Sequence, residues 1–145
     1  MNDIVHAAQR RWQADYKAEL SAVGQVRRAV RARLLRYGLE EDSDALGELM
    51  VMASELVTNA IVHACAVGDV ATVRLWTCGG IWQLEVQDPL CRPLPEPTEA
   101  GAAATGGRGL LLVRGLSDEF GVELLRGRGK NVWVRKVAAP AMEGR

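Results

Sequence analysis

The 145-residue chain sets 18 lysines and arginines against 18 aspartates and glutamates, and 48% of its residues are hydrophobic. A chain of this length buries roughly two-thirds of the surface its unfolded form exposes, enough for one globular domain without metal or disulfide staples, which argues against intrinsic disorder. A formal charge of zero argues against a protein held on nucleic acid by its overall field, and Arg, Glu or Gly interrupts every apolar run before it reaches membrane-span length.

The cysteines, Cys65, Cys78 and Cys91, are odd in number and lack CxxC spacing. With only His6 and His63 beside them, no four-ligand metal site is completed, and the expected compartment is the reducing cytoplasm. The N-terminus shows no basic-then-apolar signal pattern.

In the N-terminal segment, 1–20, Trp12, Ala14 and Tyr16 alternate with polar residues and suit a short edge strand. From Ser21, Val23, Val26, Val30 and Leu34 recur at helical spacing, and Gly38 stands where a capping glycine belongs. A second helix starts near Ser43, an N-cap residue. Its apolar stripe runs through Leu46, Leu49, Met50, Ala53, Val57, Ala60, Ile61 and Ala64 to Gly68, which predicts the longest element of the chain. The period then changes: VATVRLWTC and IWQLEVQD alternate around Gly79-Gly80, which predicts an antiparallel hairpin. Residues 89–106 hold four of the five prolines and no apolar period, so they read as a long loop of the kind that serves a site. After it come a third helix opening on glycine (GRGLLLVRGLSD), a strand (FGVELLR), a turn and a last strand (KNVWVRKV), with 138–145 as a frayed tail. No repeat is present. This order predicts an α+β two-layer sandwich with its helices on one face of the sheet.

Four constellations bear on chemistry. Glu55 and Asn59 are four residues apart and so share one helical face, placed by helical-wheel arithmetic opposite the apolar stripe. Glu48 shares that face, as a solvated surface would have it, whereas the flanking Val51 and Val62 suit a pocket wall. An amide oxygen is a neutral hard ligand for Mg²⁺, and a carboxylate can take a proton from an attacking hydroxyl. His63 needs no function, since the macrodipole favours imidazole near a helix C-terminus.

The second constellation is Gly106-Gly107-Arg108-Gly109 at the start of the third helix. It is either an ordinary loop end or an anion site made of free amides at the positive end of a helix. It matches neither the GxGxxG nor the GxxxxGK[ST] fingerprint, which disfavours Rossmann and P-loop folds. Asp88, third, closes a strand before Pro89 and serves either as turn chemistry or as an acceptor for a purine's exocyclic amine. In the fourth, RGRGKNVW, the glycines read as a hairpin turn and Arg126, Arg128 and Lys130 as its solvated tip. Joined to Arg27, Arg28, Arg31, Arg33 and Arg36 of the first helix, they would make a nucleic-acid patch. The spread of those arginines around the helix and the scarcity of aromatics weigh against it.

The ordered set Glu55-Leu56-Val57-Thr58-Asn59-Ala60 with His63-Ala64, then Asp88, then Gly107-Arg108-Gly109-Leu110, then Gly129-Lys130 with Val132-Trp133, resembles the GHKL ATP-binding (Bergerat) fold of histidine kinases, gyrase-type ATPases and Hsp90. Within that superfamily it resembles the small bacterial anti-sigma-factor serine/threonine kinases, from about Ser21 to Val137. The resemblance implies a domain over 21–137 with a mixed, mostly antiparallel sheet and an ATP lid at 89–106. It implies that Asn59 holds Mg²⁺ against the ATP phosphates, that Glu55 is the general base and that Asp88 bonds the adenine amine. Thr105, Gly106, Gly107, Arg108, Gly109 and Leu110 would meet the phosphates. It further implies phosphoryl transfer to a serine or threonine of a small antagonist protein, competition by a sigma factor, a homodimer, and no direct contact with nucleic acid or membrane. The chain departs from the pattern in Pro89-Leu90-Cys91 after Asp88, in Asn131 where the branch often has threonine, and in a short glycine box. The alternative is a nucleotide-gated module that sequesters a regulator without kinase activity.

Overall fold

A computed structural model describes residues 8–64, 66–89 and 107–139. In chain order the elements are β1 (Arg10–Lys17), α1 (Ser21–Arg36), α2 (Asp44–Asn59) continued by a π-helical turn (Ala60–Ala64), β2 (Val70–Cys78), β3 (Ile81–Asp88), α3 (Gly107–Leu116), β4 (Glu119–Leu125) and β5 (Gly129–Val137). The strands form one sheet in the order β1-β2-β3-β5-β4. Every pairing is antiparallel, the limiting case of the mostly antiparallel sheet expected.

Local sequence sets most boundaries. Ser43 Oγ accepts the Leu46 amide at 3.2 Å and so caps α2, satisfying one of the donors a helix start leaves open. At the end of α1 the Gly38 amide donates to Leu35 O at 3.1 Å and the Leu39 amide to Leu34 O at 3.0 Å. This is a Schellman closure, in which the side chains of Leu34 and Leu39 are both buried. Between β2 and β3, Gly79 and Gly80 have φ of 54° and 85°, as a tight hairpin turn requires at both central positions.

Alternation sorts the sheet. Val73 and Leu75 of β2, Trp82, Leu84 and Val86 of β3, and Val132 and Val134 of β5 face α1 and α2 and form the core with Val26, Val30, Leu34, Leu49 and Leu56. Ala138, assigned to the tail by sequence, belongs to this layer. Its amide donates to Gly80 O at 2.8 Å, and its carbonyl accepts the Trp82 indole N–H at 2.8 Å. Residues 140–145 lie outside the described ones.

The polar residues of β3 are not solvated: Gln83, Glu85 and Asn131 of the neighbouring β5 are buried on the face away from the helices. Asn131 Nδ2 donates to Glu85 Oε1 at 2.8 Å and Arg135 Nε to Gln83 Oε1 at 2.7 Å, while Arg135 lies over the Trp133 ring. Long side chains therefore roof the central strand on its open side. One expectation changes: the span Asp44–His63 has a mean hydropathy of 1.4 and is long and apolar enough to cross a membrane by composition. Half of it is buried inside the domain, and Glu48 within it pairs with Lys136 at 2.6 Å, so it is the core helix of this fold.

Replacing Ser43 with alanine is expected to lower stability by about 1 kcal/mol through the lost cap, read as a lower urea midpoint with an unchanged slope. Ser43→Asp restores the wild-type midpoint.

Candidate functional site

The site is built at the end of the sheet where β3 finishes and β5 begins. Thr72 pairs with Gln87, and Asp88 with Lys130. The chain leaves the π-helical turn at Ala64 and enters β2 at Val70. The C-terminal end of α2, the last residue of β3 and the first residues of β5 therefore share one end of the domain. The turn Ala60–Ala64 packs on β3, and α2 packs on α3.

α3 is antiparallel to α2. Lys136 Nζ donates to Leu116 O at 2.8 Å and to Glu48 Oε2 at 2.6 Å, which fixes the far end of α3 beside the first half of α2. Leu112 and Leu116 line a shallow groove of about 690 Å³ together with Gly47, Glu48 and Val51. Four residues of helix rise about 6 Å. Stepping back one turn along α3 from Leu112 and forward one turn along α2 from Val51 brings the backbone of Arg108 level with Glu55. The first turn of α3, with its open amides, thus stands opposite Glu55 and Asn59. Leu110 is buried, so what it offers a ligand is its main-chain amide. Thr105, Gly106 and the rest of the segment 90–106 lie outside the described residues.

Asn59 is not on a face opposite the core. The buried arc of α2 passes through Leu49, Met52, Ala53, Leu56 and Ala60, turned roughly 60° from the stripe expected, at 3.6 residues per turn. That rotation draws Asn59 inward to 8% exposure and leaves Glu55 half-buried at the rim. The Asn59 Nδ2 is buried without a hydrogen-bond partner among the described residues. An unsatisfied donor of this kind costs about 1–3 kcal/mol unless water or a ligand oxygen meets it. Glu55 makes no ion pair or hydrogen bond with another described residue. The hydroxyls of Ser54 and Thr58, by contrast, are spent on Met50 O at 3.1 Å and Ser54 O at 2.7 Å within the helix. His63 sits half-buried in the π-helical turn.

Asp88 is buried on the helix-facing side, in phase with Leu84 and Val86, and Lys130 straddles its carboxylate at 3.0 Å from Oδ1 and 2.9 Å from Oδ2. Lys130 is therefore not part of a solvated tip: it is 2% exposed. The alternation of β5 sends Lys130 inward with Val132 and Val134, and that parity in KNVWVRKV was the signal available in the sequence. Asn131, one residue on, points the other way and bonds Glu85, so its side chain belongs to the roofed face rather than to the side of Asp88. Gly129 has φ of 89°, and a Cβ there would stand 1.7 Å from Asp88 O and 2.7 Å from Pro89 Cα. The residue taken only for a turn glycine is thus also where β5 presses on the exit of β3.

The arginines do not gather. α1 lies by β1, where Arg10 Nη1 donates to Arg36 O, whereas Arg126 and Arg128 follow β4 at the opposite edge. Four strand spacings of about 4.8 Å separate the two edges.

A model of the histidine kinase-like ATPase domain matches residues 16–136, and the chain belongs to that family of ATP-binding domains. No curated protein matches it. Among solved structures it is similar to the RsbU and RsbW domains of Rv1364c from Mycobacterium tuberculosis, with a TM-score of 0.64 and 18% identity over 92% of this chain and 33% of that one. It is also similar to the blue-light activated histidine kinase EL346 of Erythrobacter litoralis, with a TM-score of 0.52 and 23% identity over 81% of this chain and 41% of that one. The chain thus spans less than half of either protein, and at these identities the likeness is one of fold.

Gly129→Ala should destabilise the domain by about 1–3 kcal/mol from the left-handed backbone alone, and by more through the overlap with Asp88. Denaturant unfolding with the loss confined to less than about 0.5 kcal/mol, the range of ordinary surface changes, would refute the close approach.

Proposed function

We propose that this domain binds Mg-ATP at the end of α2 and transfers the γ-phosphoryl group to a serine or threonine of a partner protein, as anti-sigma-factor kinases do. The acceptor is a small antagonist protein and a sigma factor is the competing ligand. The observation that carries the reading is Asn59: a buried amide whose donor meets no partner among the described residues, one helical turn beyond a carboxylate that likewise has none among them, and opposite the first turn of α3.

The residues fit the group. Asn59 Oδ1 is the neutral oxygen ligand, and its buried Nδ2 donates to a phosphate or water oxygen. When bound, Mg²⁺ offsets phosphate charge and keeps most of its own waters, so one protein ligand suffices. The first-turn amides of α3 bind phosphate oxygens with the positive end of the helix behind them. Glu55, half-exposed at the rim, accepts the proton of the attacking hydroxyl. Asp88 accepts the amine of the base. Positioning and charge stabilisation supply most of the rate, as in phosphoryl transfer generally. On this reading the domain works in the cytoplasm as a homodimer, with 89–106 as the lid.

Asn59→Ala is expected to weaken Mg-dependent ATP binding by at least about tenfold, the equivalent of 1.4 kcal/mol, in isothermal titration. Affinity equal to wild type rules out the metal role. Glu55→Ala is expected to keep ATP affinity within about threefold and to slow transfer by about 10²–10⁴, the range of a general base, in single-turnover assays with radiolabelled ATP. Acid-stable label on the partner marks serine or threonine. Acid-labile label would mark a histidine acceptor, and nucleotide binding without any label would leave the gated-module reading in its place.

A further inference from the structure

The chain has three lysines against fifteen arginines, and one of the three is sealed inside the site. Lys130 and Asp88 are side chains of 3% and 2% exposure, brought face to face by the β3–β5 register. Burying two charges is costly unless each satisfies the other, so an ion pair at this position calls for a reason beyond stability. In a chain that otherwise favours arginine, the ammonium of this lysine meets both carboxylate oxygens as a compact point charge.

We propose that Lys130 is a positioning residue for base selection: by holding Asp88 ionised and in one orientation, it makes this end of the domain accept a purine with a 6-amino group and reject the 6-oxo counterpart. The inference rests on the nucleotide reading above and adds to it the residue that sets its selectivity. An ionised carboxylate is acceptor-only. Opposite it, a 6-amino group donates a hydrogen bond, whereas a 6-oxo group sets acceptor against acceptor and leaves both without a proton between them. Sites built to hydrogen-bond one substrate group reject the analogue lacking it by large factors. Without its counter-charge a carboxyl as buried as Asp88 favours the neutral acid. The neutral acid carries an O–H donor and meets the 6-oxo group as readily as the carboxylate met the amine. The main chain supports the same arrangement, since the backbone of Asp88 runs so close to Gly129 that a Cβ there would overlap its carbonyl oxygen, which fixes the strand from which the carboxylate projects.

The test compares ATP with inosine triphosphate, which bears oxygen in place of the amine at the 6-position and a proton on N1, by isothermal titration. Wild type is expected to prefer ATP by about 100-fold or more, a factor within the range such sites achieve. Lys130→Met is expected to bring the two affinities within about threefold of each other, mainly by gaining affinity for the inosine nucleotide, and Lys130→Arg to retain a clear ATP preference at lower affinity. A purely structural lysine would weaken both nucleotides alike, so Lys130→Met with the wild-type ratio overturns the proposal while leaving ATP binding itself intact. Wild-type protein that binds neither nucleotide overturns the nucleotide reading as well. If Lys130→Met does not fold, Lys130→Gln, which keeps a donor toward Asp88 without the charge, must show the same loss of preference. If neither folds, the ¹³C carboxyl signal of Asp88 in the wild-type ATP complex decides: an ionised signal supports the proposal, and a protonated one contradicts it.

Discussion

The rotation of α2 about its own axis is the constraint on which the site depends. Leu49, Met52, Leu56 and Ala60 lock one face of the helix onto the sheet, and the Lys136–Glu48 pair ties its other flank to β5 and to the end of α3. Once that face is down, Asn59 is pulled into the protein and Glu55 is left at the rim. A turn of 100° either way would put the amide in water or the carboxylate in the core, where an unpaired charge is costly. The same packing sets α3 antiparallel to α2, and so brings its open amides to the Asn59 end.

At that end the sheet contributes its own fixed points. Antiparallel register puts Asp88 opposite Lys130, and period-two alternation turns both toward the helices while Gln87 and Asn131 turn away. The result is a division of labour between the faces of β3 and β5. The inner face carries the core and, at its edge, one buried ion pair; the outer face carries the polar chain of Arg135, Gln83, Glu85 and Asn131, with Arg135 against the Trp133 ring. Both arrangements are polar and buried, and in both each hydrogen-bonded side chain depends on its neighbour's position.

Much of this is legible in the sequence because local physics decides it. Ser43, Gly38 and Gly79-Gly80 each mark a boundary through a single conformational need, and the change of period after Gly68 announces the sheet. What could not be read was orientation. α2 carries Met50, Val51, Ile61 and Val62 besides its true core residues, so apolar positions cover most of its circumference and a wheel drawn from them points about 60° away from the face that is buried at 3.6 residues per turn. The cover over Gln83 and Glu85 depends on Arg135 and Asn131, some fifty residues away in sequence, and no local pattern states that pairing. Lys130 was hidden differently: it stands directly after a glycine turn flanked by arginines, and only its parity with Val132 and Val134 betrays that it faces inward. The resemblance named Asn59, Glu55 and Asp88 through their order along the chain, whereas the lysine that holds Asp88 emerges only from the register.

On the proposed reading the end of α2, the β3–β5 junction and the start of α3 together clasp a nucleotide. Hydrogen–deuterium exchange with and without saturating Mg-ATP tests this most directly. Bound nucleotide is expected to slow exchange only in residues 57–64, 86–89, 107–111 and 129–132, with α1 and β1 unchanged. Exchange that is the same in both states, or slowed only along β1 and the outer face of the sheet, would contradict it.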